Sequence, residues 1–181
     1  MSATPEPFLG VGDHTPVRHH ILSVLVENKA GVLARIAGLF ARRGFNIYSL
    51  AVAPAESGAR FSRVTIVVDA ESAPLEQIVG QLDKLVNVVA ISDISPKDAL
   101  ERELLIATIK TDVDNRTSLL DIIANAGAAI VDVDAKSVTV MLAGTPGGCD
   151  ELERALESFA EVELHRTGRV ALPRLGKTAS A

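Results

Sequence analysis

A short segment between an apolar strand pattern and an amphipathic helix pattern holds the residues best suited to bind a ligand. The segment reads Glu27-Asn28-Lys29-Ala30-Gly31, and the helix pattern starts directly after it. The first turn of a helix carries unpaired backbone N–H groups and the positive end of the helix dipole, so it attracts an anion. The segment therefore predicts an anion-binding loop.

The same residues also fit a purely structural interpretation. Asn28 would then cap the helix and Gly31 would only relieve the turn, since both residue types serve these purposes in many proteins. The loop alone supports ligand binding and this structural role equally well.

No pattern for catalysis accompanies the loop. The sequence contains no HExxH, GxSxG, Walker or CxxC motif, and the glycine-rich segment 144–148 lacks the lysine of a phosphate-binding loop, which favours a loop before a helix. His14, His19 and His20 lie in or beside a predicted N-terminal tail without acidic partners at metal-ligand spacing, so we expect solvated side chains. Cys149 is expected to be a small packed thiol. The sequence predicts no catalytic residue, no metal site and no cofactor on this chain.

Composition and charge argue against further classes of function. Of the 181 residues, 48% are hydrophobic and 23% are charged, which is typical of a chain that builds a core. A net charge of −5 without a basic stripe, together with only 3% aromatic residues, argues against nucleic-acid binding. Charges or glycines interrupt every apolar run before membrane-spanning length, and the single cysteine excludes an internal disulfide. We expect a soluble protein of the cytoplasm that contacts neither nucleic acid nor membrane.

Hydrophobic periodicity predicts the order β-α-β-β-α-β in the first half of the chain. The predicted elements are a strand Ile21–Val26, a helix Val32–Arg43 ended by Gly44, strands Ile47–Ala53 and Phe61–Asp69 around a hairpin at residues 54–58, a helix from Pro74 to about Leu85 with Ser72 as N-cap, and a strand Val88–Ile94. Such an order folds most simply into a four-stranded antiparallel sheet with both helices on one face.

The second half repeats that order. The predicted elements are a strand Leu104–Thr111, a helix Thr117–Asn125 ended by Gly127, strands Ala129–Asp134 and Ser137–Ala143, a helix Cys149–Phe159 and a strand Val162–Val170. The chain is thus divided into a flexible N-terminal tail (residues 1–18), a first domain (19–95), a linker (96–102), a second domain (103–172) and a flexible C-terminal tail (173–181). The predicted fold class is α+β, with two tandem ferredoxin-like βαββαβ domains.

The sequence also resembles a known family over most of its length. The run VLVENKAGVLARIAGLFARRGFNI, followed by SLAVAP, resembles the N-terminal ACT domain of the small, regulatory subunit of acetolactate synthase, also called acetohydroxyacid synthase. The resemblance continues through LEQIVGQLDKLVNV, ERELLIATIK, IVDVDAKSVTVMLAGTPG and RTGRVAL, and so extends from Arg18 to Leu172. It implies an ACT domain followed by an ACT-like domain.

The resemblance also implies a function. Proteins of this family form homodimers whose paired ACT domains bind a branched-chain amino acid, usually valine, at the subunit interface. They have no catalytic site, and they activate a separate large subunit, a transferase of branched-chain amino-acid biosynthesis, and make it sensitive to feedback inhibition. Thiamine diphosphate, Mg²⁺ and FAD are expected on the large subunit only. By resemblance, Asn46 and Ile47 of the partner chain complete an effector site that is otherwise formed by Asn28, Lys29, Ala30, Gly31, Val32 and Leu33.

The chemistry of the loop agrees with such a ligand. Valine presents a carboxylate, an ammonium group and a small branched side chain. Backbone N–H groups of Gly31, Val32 and Leu33 suit the carboxylate, and the Asn28 side-chain oxygen suits the ammonium. One methylene in an apolar pocket discriminates by only about 1–3 kcal/mol, so the sequence leaves valine, leucine and isoleucine open. The alternative function is a free-standing ACT-type amino-acid sensor that regulates another enzyme.

Overall fold

The computed structural model describes residues 19–69 and 74–177, in which nine strands and four helices are found. They are β1 (His19–Glu27), α1 (Val32–Arg43), β2 (Ile47–Pro54), β3 (Phe61–Asp69), α2 (Leu75–Leu82), β4 (Val88–Ile94), β5 (Ala99–Lys110), α3 (Val113–Ala126), β6 (Ala129–Val133), β7 (Ser137–Gly144), α4 (Pro146–Leu156), β8 (Val162–Arg166) and β9 (Val170–Pro173). The predicted N-terminal tail and the predicted N-cap Ser72 lie outside the described residues. None of the described helices is long and apolar enough to cross a membrane.

Strands β1 to β4 form an antiparallel sheet in the order β2-β3-β1-β4. Alternate residues of the central strands face the helices, because side chains alternate between the two faces of a strand. Leu22, Val24 and Ile66 are buried there against Ile36 and Phe40 of α1. Each buried side chain of this size contributes roughly 1.5–3 kcal/mol. The packing therefore fixes the start of α1 next to the end of β1.

Strands β5 to β8 repeat this arrangement in the order β6-β7-β5-β8. Leu105 and Ile109 of β5 and Val140 of β7 are buried together with Leu119 of α3 and Leu152 of α4. The ferredoxin-like arrangement predicted for both halves is confirmed.

A left-handed glycine ends α1 and another ends α3. Gly44 follows α1 with a φ of 69°, and Gly127 follows α3 with a φ of 67°, a conformation that glycine adopts without steric cost. After α1, the N–H of Gly44 donates to the carbonyl of Ala41, and the N–H of Phe45 donates to the carbonyl of Phe40. This turn reverses the chain and starts β2.

Helix α3 begins at Val113, earlier than the predicted Thr117. The side chain of Asp112 caps the helix, because its Oδ1 accepts the N–H of Asn115 at 2.9 Å. The cap precedes the apolar pattern of the helix, so periodicity alone places the start too late.

Helix α4 begins at Pro146 rather than at the predicted Cys149. The side chain of Thr145 accepts the N–H of Gly148 at 3.1 Å, and proline suits the first turn because it has no N–H to lose there. The segment 144–148, predicted as a loop before a helix, is therefore mostly the first turn of α4. Cys149 is buried as expected, and burial raises the pKa of its thiol.

The predicted linker, residues 96–102, extends too far toward the C-terminus. Strand β5 begins at Ala99, because residues 99–102 pair antiparallel with β9. The two paired segments lie far apart in sequence, so no local pattern indicates the pairing. Residues 99–102 belong to the second domain.

The predicted last strand, Val162–Val170, is two strands, and the predicted tail from residue 173 starts too early. Gly168, with a φ of 82°, separates β8 from β9. Strand β9 includes Pro173, and the N–H of Arg174 then donates to the carbonyl of Asp98 at 2.8 Å. The described part of this segment is therefore held beside the start of β5.

A small apolar cluster joins the two domains. Ile21, Val67 and Ile94 of the first sheet pack against Ala99 and Ala171 of the second domain. All five residues are buried. Ile21 and Val67 alternate with the residues that face α1, so the β5–β9 pair lies on the sheet face opposite the helices.

His19 and His20 belong to β1 and both are half-buried, so the expectation of solvated side chains in a tail is wrong for these two residues. The ring of His19 lies 4.3 Å from the ring of Tyr48, measured between centroids. Burial, together with the nearby charge of Arg169, lowers the pKa of His19. Within residues 19–69 and 74–177, no group of three His, Cys, Asp or Glu side chains is placed to hold a metal ion.

Candidate functional site

The predicted binding loop, residues 28–31, connects the end of β1 to the start of α1 and is exposed. Gly31 directly precedes α1 with a φ of 84°, a left-handed conformation in which residues with a Cβ are strained. Apart from its two neighbours in the chain, no described residue has an atom within 4 Å of the position that a Cβ of this residue would take. The backbone conformation therefore favours glycine here, and the space beside it can accept a ligand.

The N-terminus of α1 has no side-chain cap. The N–H of Val32 donates to the carbonyl of Lys29 at 3.3 Å, whereas the N–H groups of Gly31, Leu33 and Ala34 find no acceptor among the described residues. The predicted set of Gly31, Val32 and Leu33 is therefore corrected, because the turn itself uses the N–H of Val32. Three open N–H groups at the positive end of a helix suit a carboxylate.

Asn28 does not cap the helix. Its Nδ2 donates to the carbonyl of Ala59 at 2.8 Å, and its backbone N–H donates to the carbonyl of Arg60 at 2.9 Å. Both acceptors lie between β2 and β3. These bonds fix the residue and use its side-chain nitrogen, which leaves Oδ1 to accept a hydrogen bond from an ammonium group. The structural interpretation of Asn28 as a helix cap is wrong.

A polar network fixes the other side of the loop. Asn87, directly before β4, donates from Nδ2 to Oε2 of Glu27 at 2.6 Å, and Nζ of Lys29 lies 3.0 Å from the same oxygen. The hydrogen bonds from Asn87 and then Lys29 hold the pKa of Glu27 below its usual range. Arg35 donates to Oδ1 of Asn87 at 3.0 Å. Lys29 therefore supports the loop by pairing with Glu27.

The two apolar residues at the helix start differ in burial. Val32 is only 6% exposed and packs in the core of the first domain, whereas Leu33 is 42% exposed. Ala30 is exposed as well. Leu33 and Ala30 can therefore form an apolar wall beside the open N–H groups, and the side chain of Val32 serves the fold.

Within one chain, Asn46 and Ile47 lie far from the loop. Ile47 starts β2 and pairs with Val68, which lies opposite the start of β1, whereas the loop follows the end of β1. A strand of eight residues at about 3.3 Å per residue separates the two ends of the sheet by roughly 25 Å. Asn46 is exposed, and Ile47 is half-buried against the core. A single chain does not bring the predicted site residues together.

Strand β2 lies at the edge of its sheet. In the described part of the chain it pairs only with β3, so its second edge presents backbone groups without a strand partner. Tyr48 and Val52 on this strand are 51% and 46% exposed. Antiparallel pairing of this edge with the same edge of a second copy would place the start of one β2 beside the end of the other.

Sequence reasoning missed the residues that support the loop, namely Ala59, Arg60 and Asn87. Asn28 and Ala59 are 31 positions apart, and Glu27 and Asn87 are 60 apart, so no local pattern connects them. Only the order of the strands in the sheet indicates that these residues lie beside the loop. In a βαββαβ sheet β1 lies between β3 and β4, so the residues before these two strands lie beside the end of β1.

Comparisons with known proteins agree for both halves of the chain. Residues 22–90 match the family model of the AHAS small subunit-like ACT domain, and residues 102–175 match that of the small subunit of acetolactate synthase. An acetolactate synthase small subunit of Mycobacterium bovis is 46% identical over 155 residues, which cover 86% of this chain and 92% of that protein. Acetolactate synthase small subunit 2, chloroplastic, of Arabidopsis thaliana is 42% identical over 165 residues, 90% of this chain and 34% of that protein.

A solved structure shares the fold of both domains. The crystal structure of an acetolactate synthase small subunit from Thermotoga maritima matches with a TM-score of 0.81 and 33% identity, over 89% of this chain and 100% of that chain. The resemblance seen in the sequence is thereby confirmed. The chain belongs to the family of acetolactate synthase small subunits.

Proposed function

We propose that this chain is a regulatory subunit that binds valine or a related branched-chain amino acid and controls a separate catalytic large subunit of acetolactate synthase. It activates the large subunit and makes it sensitive to feedback inhibition. In this proposal thiamine diphosphate, Mg²⁺ and FAD belong to the large subunit, and this chain supplies no catalytic residue. The cytoplasm stays its predicted compartment.

The observation that carries the proposal is the uncapped start of α1 beside the fixed side chain of Asn28. The ligand carboxylate binds the N–H groups of Gly31, Leu33 and Ala34, and its ammonium group donates to Oδ1 of Asn28. A helix N-terminus stabilises an anion by about 0.3–1 kcal/mol, and by up to about 2 kcal/mol when partly buried. For so small a ligand we expect a Kd on the order of micromolar to millimolar.

We further infer a homodimer joined along β2. The separation of Asn46 and Ile47 from the loop in one chain supports this inference, because antiparallel pairing of two β2 edges brings these residues of one copy toward the loop of the other. Such pairing also covers an edge that otherwise invites uncontrolled association. The effector site is then shared between two chains.

The test is reconstitution of the full chain with its large subunit. We expect no acetolactate from pyruvate with this chain alone, a higher turnover of the large subunit in its presence, and a decrease of that turnover when valine is added. Calorimetry on the small subunit should detect valine binding, and sedimentation should show a dimer at micromolar concentration.

Three other results would each change a different part of the proposal. Valine binding without an effect on the large subunit would favour the free-standing sensor. Activation without valine binding would keep the regulatory role and place the effector elsewhere. A monomer that binds valine normally would contradict the shared site.

A further inference from the structure

A loop of the second domain lies against the start of β2. The loop is Thr167-Gly168-Arg169, between β8 and β9. Gly168 has a φ of 82°, and a Cβ at this residue would lie 2.9 Å from Oγ of Ser49 and 3.2 Å from the carbonyl oxygen of Leu50. Only a residue without a Cβ suits both the backbone conformation and the close approach to β2.

Arg169 attaches this loop to β2. Its backbone N–H donates to Oγ of Ser49 at 2.7 Å, and its guanidinium lies 4.8 Å from the centre of the Tyr48 ring. The guanidinium also lies 3.4 Å from Oε2 of Glu101 in β5. Arg169 is only 9% exposed. Arginine is rarely buried unless its charge is paired, and these contacts supply the partners. These contacts form a packed joint between the two domains.

Arg166 connects the same loop to the body of the second domain. Its guanidinium pairs with Glu103 of β5 at 2.6 Å and with Asp150 and Glu153 of α4 at 2.7 Å and 2.9 Å. Glu103 is buried, so the network is partly shielded from water. Charge-assisted hydrogen bonds are stronger in such a shielded environment than in water. A displacement of the loop is therefore passed on to β5 and α4.

On the β2 side, the joint adjoins the predicted effector residues. Asn46 and Ile47 directly precede Tyr48 and Ser49 in sequence, and the pairing of β2 with β3 is irregular between Ile47 and Ser49. A bulge lets a strand change its local course while the rest of the ladder is kept. The ring of His19 packs against Tyr48 at the same place. A ligand that contacts Ile47 therefore acts next to the joint.

We propose that Tyr48, Ser49, Gly168 and Arg169, here called the β2 latch, transmit effector binding to the second domain. This inference rests on the proposed function. The bound amino acid favours one backbone conformation of the β2 bulge between Ile47 and Ser49. The latch transfers that conformational change to β8, β9 and, through Arg166, to α4. An effector acts only through different affinities for two arrangements, and the latch is the contact that differs between them. The latch residues are positioning residues that do not touch the ligand.

The test uses the full chain in complex with its large subunit and the double variant Ser49→Ala/Arg169→Gln. The Kd for valine should not rise by more than about twofold, and the activation without valine should stay within about twofold of the wild type. The ratio of activity without valine to activity at saturating valine should fall by about fivefold, or until the two activities are equal. Typical allosteric coupling corresponds to a factor of about 5–150.

Two matched controls separate the latch from general damage. Arg154→Gln removes an arginine that, among the described residues, donates only within its own helix, to the carbonyl of Asp150 at 3.3 Å, and it should leave inhibition unchanged. Gly168→Ala and Gly176→Ala form a second pair, since φ is 82° and 79° but only Gly168 would bring a Cβ against β2. Gly168→Ala should uncouple valine binding from inhibition, and Gly176→Ala should not.

The failure of this inference is distinguishable from the failure of the proposed function. An unchanged activity ratio in the latch variants, with a wild type that valine inhibits, would overturn the latch alone. Weaker valine binding in the latch variants would also overturn it, because these residues would then belong to the binding site. A wild-type complex that valine neither binds nor inhibits would contradict the proposed function, and the latch with it.

Discussion

The two loops that lead from a first strand into a first helix occupy equivalent places in the two domains but are built differently. After β1 the chain enters α1 through Gly31, and no side chain caps the helix. After β5 it enters α3 through Asp112, whose carboxylate accepts the N–H of Asn115 at 2.9 Å. The second domain thus supplies its own anion to the helix, and the first does not. One helix start serves stability, and the other is suited to a ligand.

The opposite ends of the same helices show that this difference is local. Each helix is closed by the same pair of hydrogen bonds, from Gly44 to Ala41 and Phe45 to Phe40 after α1, and from Gly127 to Ala124 and Ala128 to Ile123 after α3. Four strands also follow the same order in both sheets, β2-β3-β1-β4 and β6-β7-β5-β8, and β9 is added only to the second. The two copies of the fold therefore differ in the residue that precedes the first helix, Gly31 in the first domain and Asp112 in the second.

The substitution Gly31→Asp should have the largest effect, because it gives α1 the acidic start that α3 has. The new carboxylate would occupy the open N–H groups and repel the carboxylate of the ligand. We expect valine binding to weaken by more than about a hundredfold in calorimetry, which corresponds to about 2.7 kcal/mol, while the large subunit is still activated. Aspartate tolerates a left-handed backbone better than most residues, so the fold should be kept.

Gly176→Asp is the matched control for that variant. Gly176 has a φ of 79° and open surroundings, as Gly31 does, but it lies outside the loop. It should bind valine as the wild type does. Normal valine binding by Gly31→Asp would show that the start of α1 is not the carboxylate site.

Asn28→Ala should have the second largest effect. It removes the acceptor for the ammonium group and the hydrogen bond that fixes the loop to Ala59. The loss of a hydrogen bond to a charged group costs about 1.5–3 kcal/mol, which corresponds to roughly ten- to a hundredfold weaker valine binding in calorimetry. Asn125→Ala, on the exposed side of α3, is the control and should change nothing. An unchanged Kd in Asn28→Ala would limit this residue to supporting the loop.

Asp112→Ala should affect stability and not effector binding. Loss of an N-cap costs roughly 0.5–2 kcal/mol, so the urea midpoint of unfolding should fall while the Kd for valine stays the same. Asp121→Ala removes an exposed acid from the middle of α3 and serves as the control. A midpoint equal to that of the control would mean that the cap contributes little to α3.

Glu27→Gln should have the smallest effect, visible only in the pH dependence of stability. The pKa of Glu27 is lowered in the folded chain from its ordinary value of 4.5, chiefly by the hydrogen bond from Asn87. Its contribution is therefore complete above that value and is lost as the pH falls through the lowered pKa. In urea unfolding from pH 7 down to about pH 3, the variant should lose less stability than the wild type. Identical pH profiles would assign no role to this carboxylate.

Local sequence patterns predicted the elements whose signals lie within them. The bounds of α1, β3 and β4 in the structure are those predicted. The apolar pattern of each element is unbroken, and Gly44 directly follows the last residue of α1. The starts of α3 and α4 were placed too late, since the capping residues Asp112 and Thr145 precede the apolar pattern. Both capping residues indicate the helix starts from the sequence, because Asp and Thr are preferred N-cap residues.

Pairing between distant segments could not be predicted from local patterns. Strand β9 forms because residues 99–102 hydrogen-bond with residues 170–173, and neither segment has a strong strand pattern of its own. The same holds for the candidate site. The loop itself was predicted, whereas its contacts with Ala59 and Asn87 depend on the sheet order that brings three chain segments together. The role of the loop in effector binding stays a prediction.

Asn46 and Ile47 lie at the end of the first sheet opposite the loop, so the proposed site needs two chains, and that proposal has a thermodynamic consequence. A site that needs residues from two chains exists only in their associated form, so ligand binding and chain association become linked equilibria. The amino acid would then favour the dimer by about 2.7 kcal/mol per site at a free concentration of about a hundred times Kd. The apparent affinity would rise with protein concentration, and the metabolite would act as a reversible crosslink between subunits.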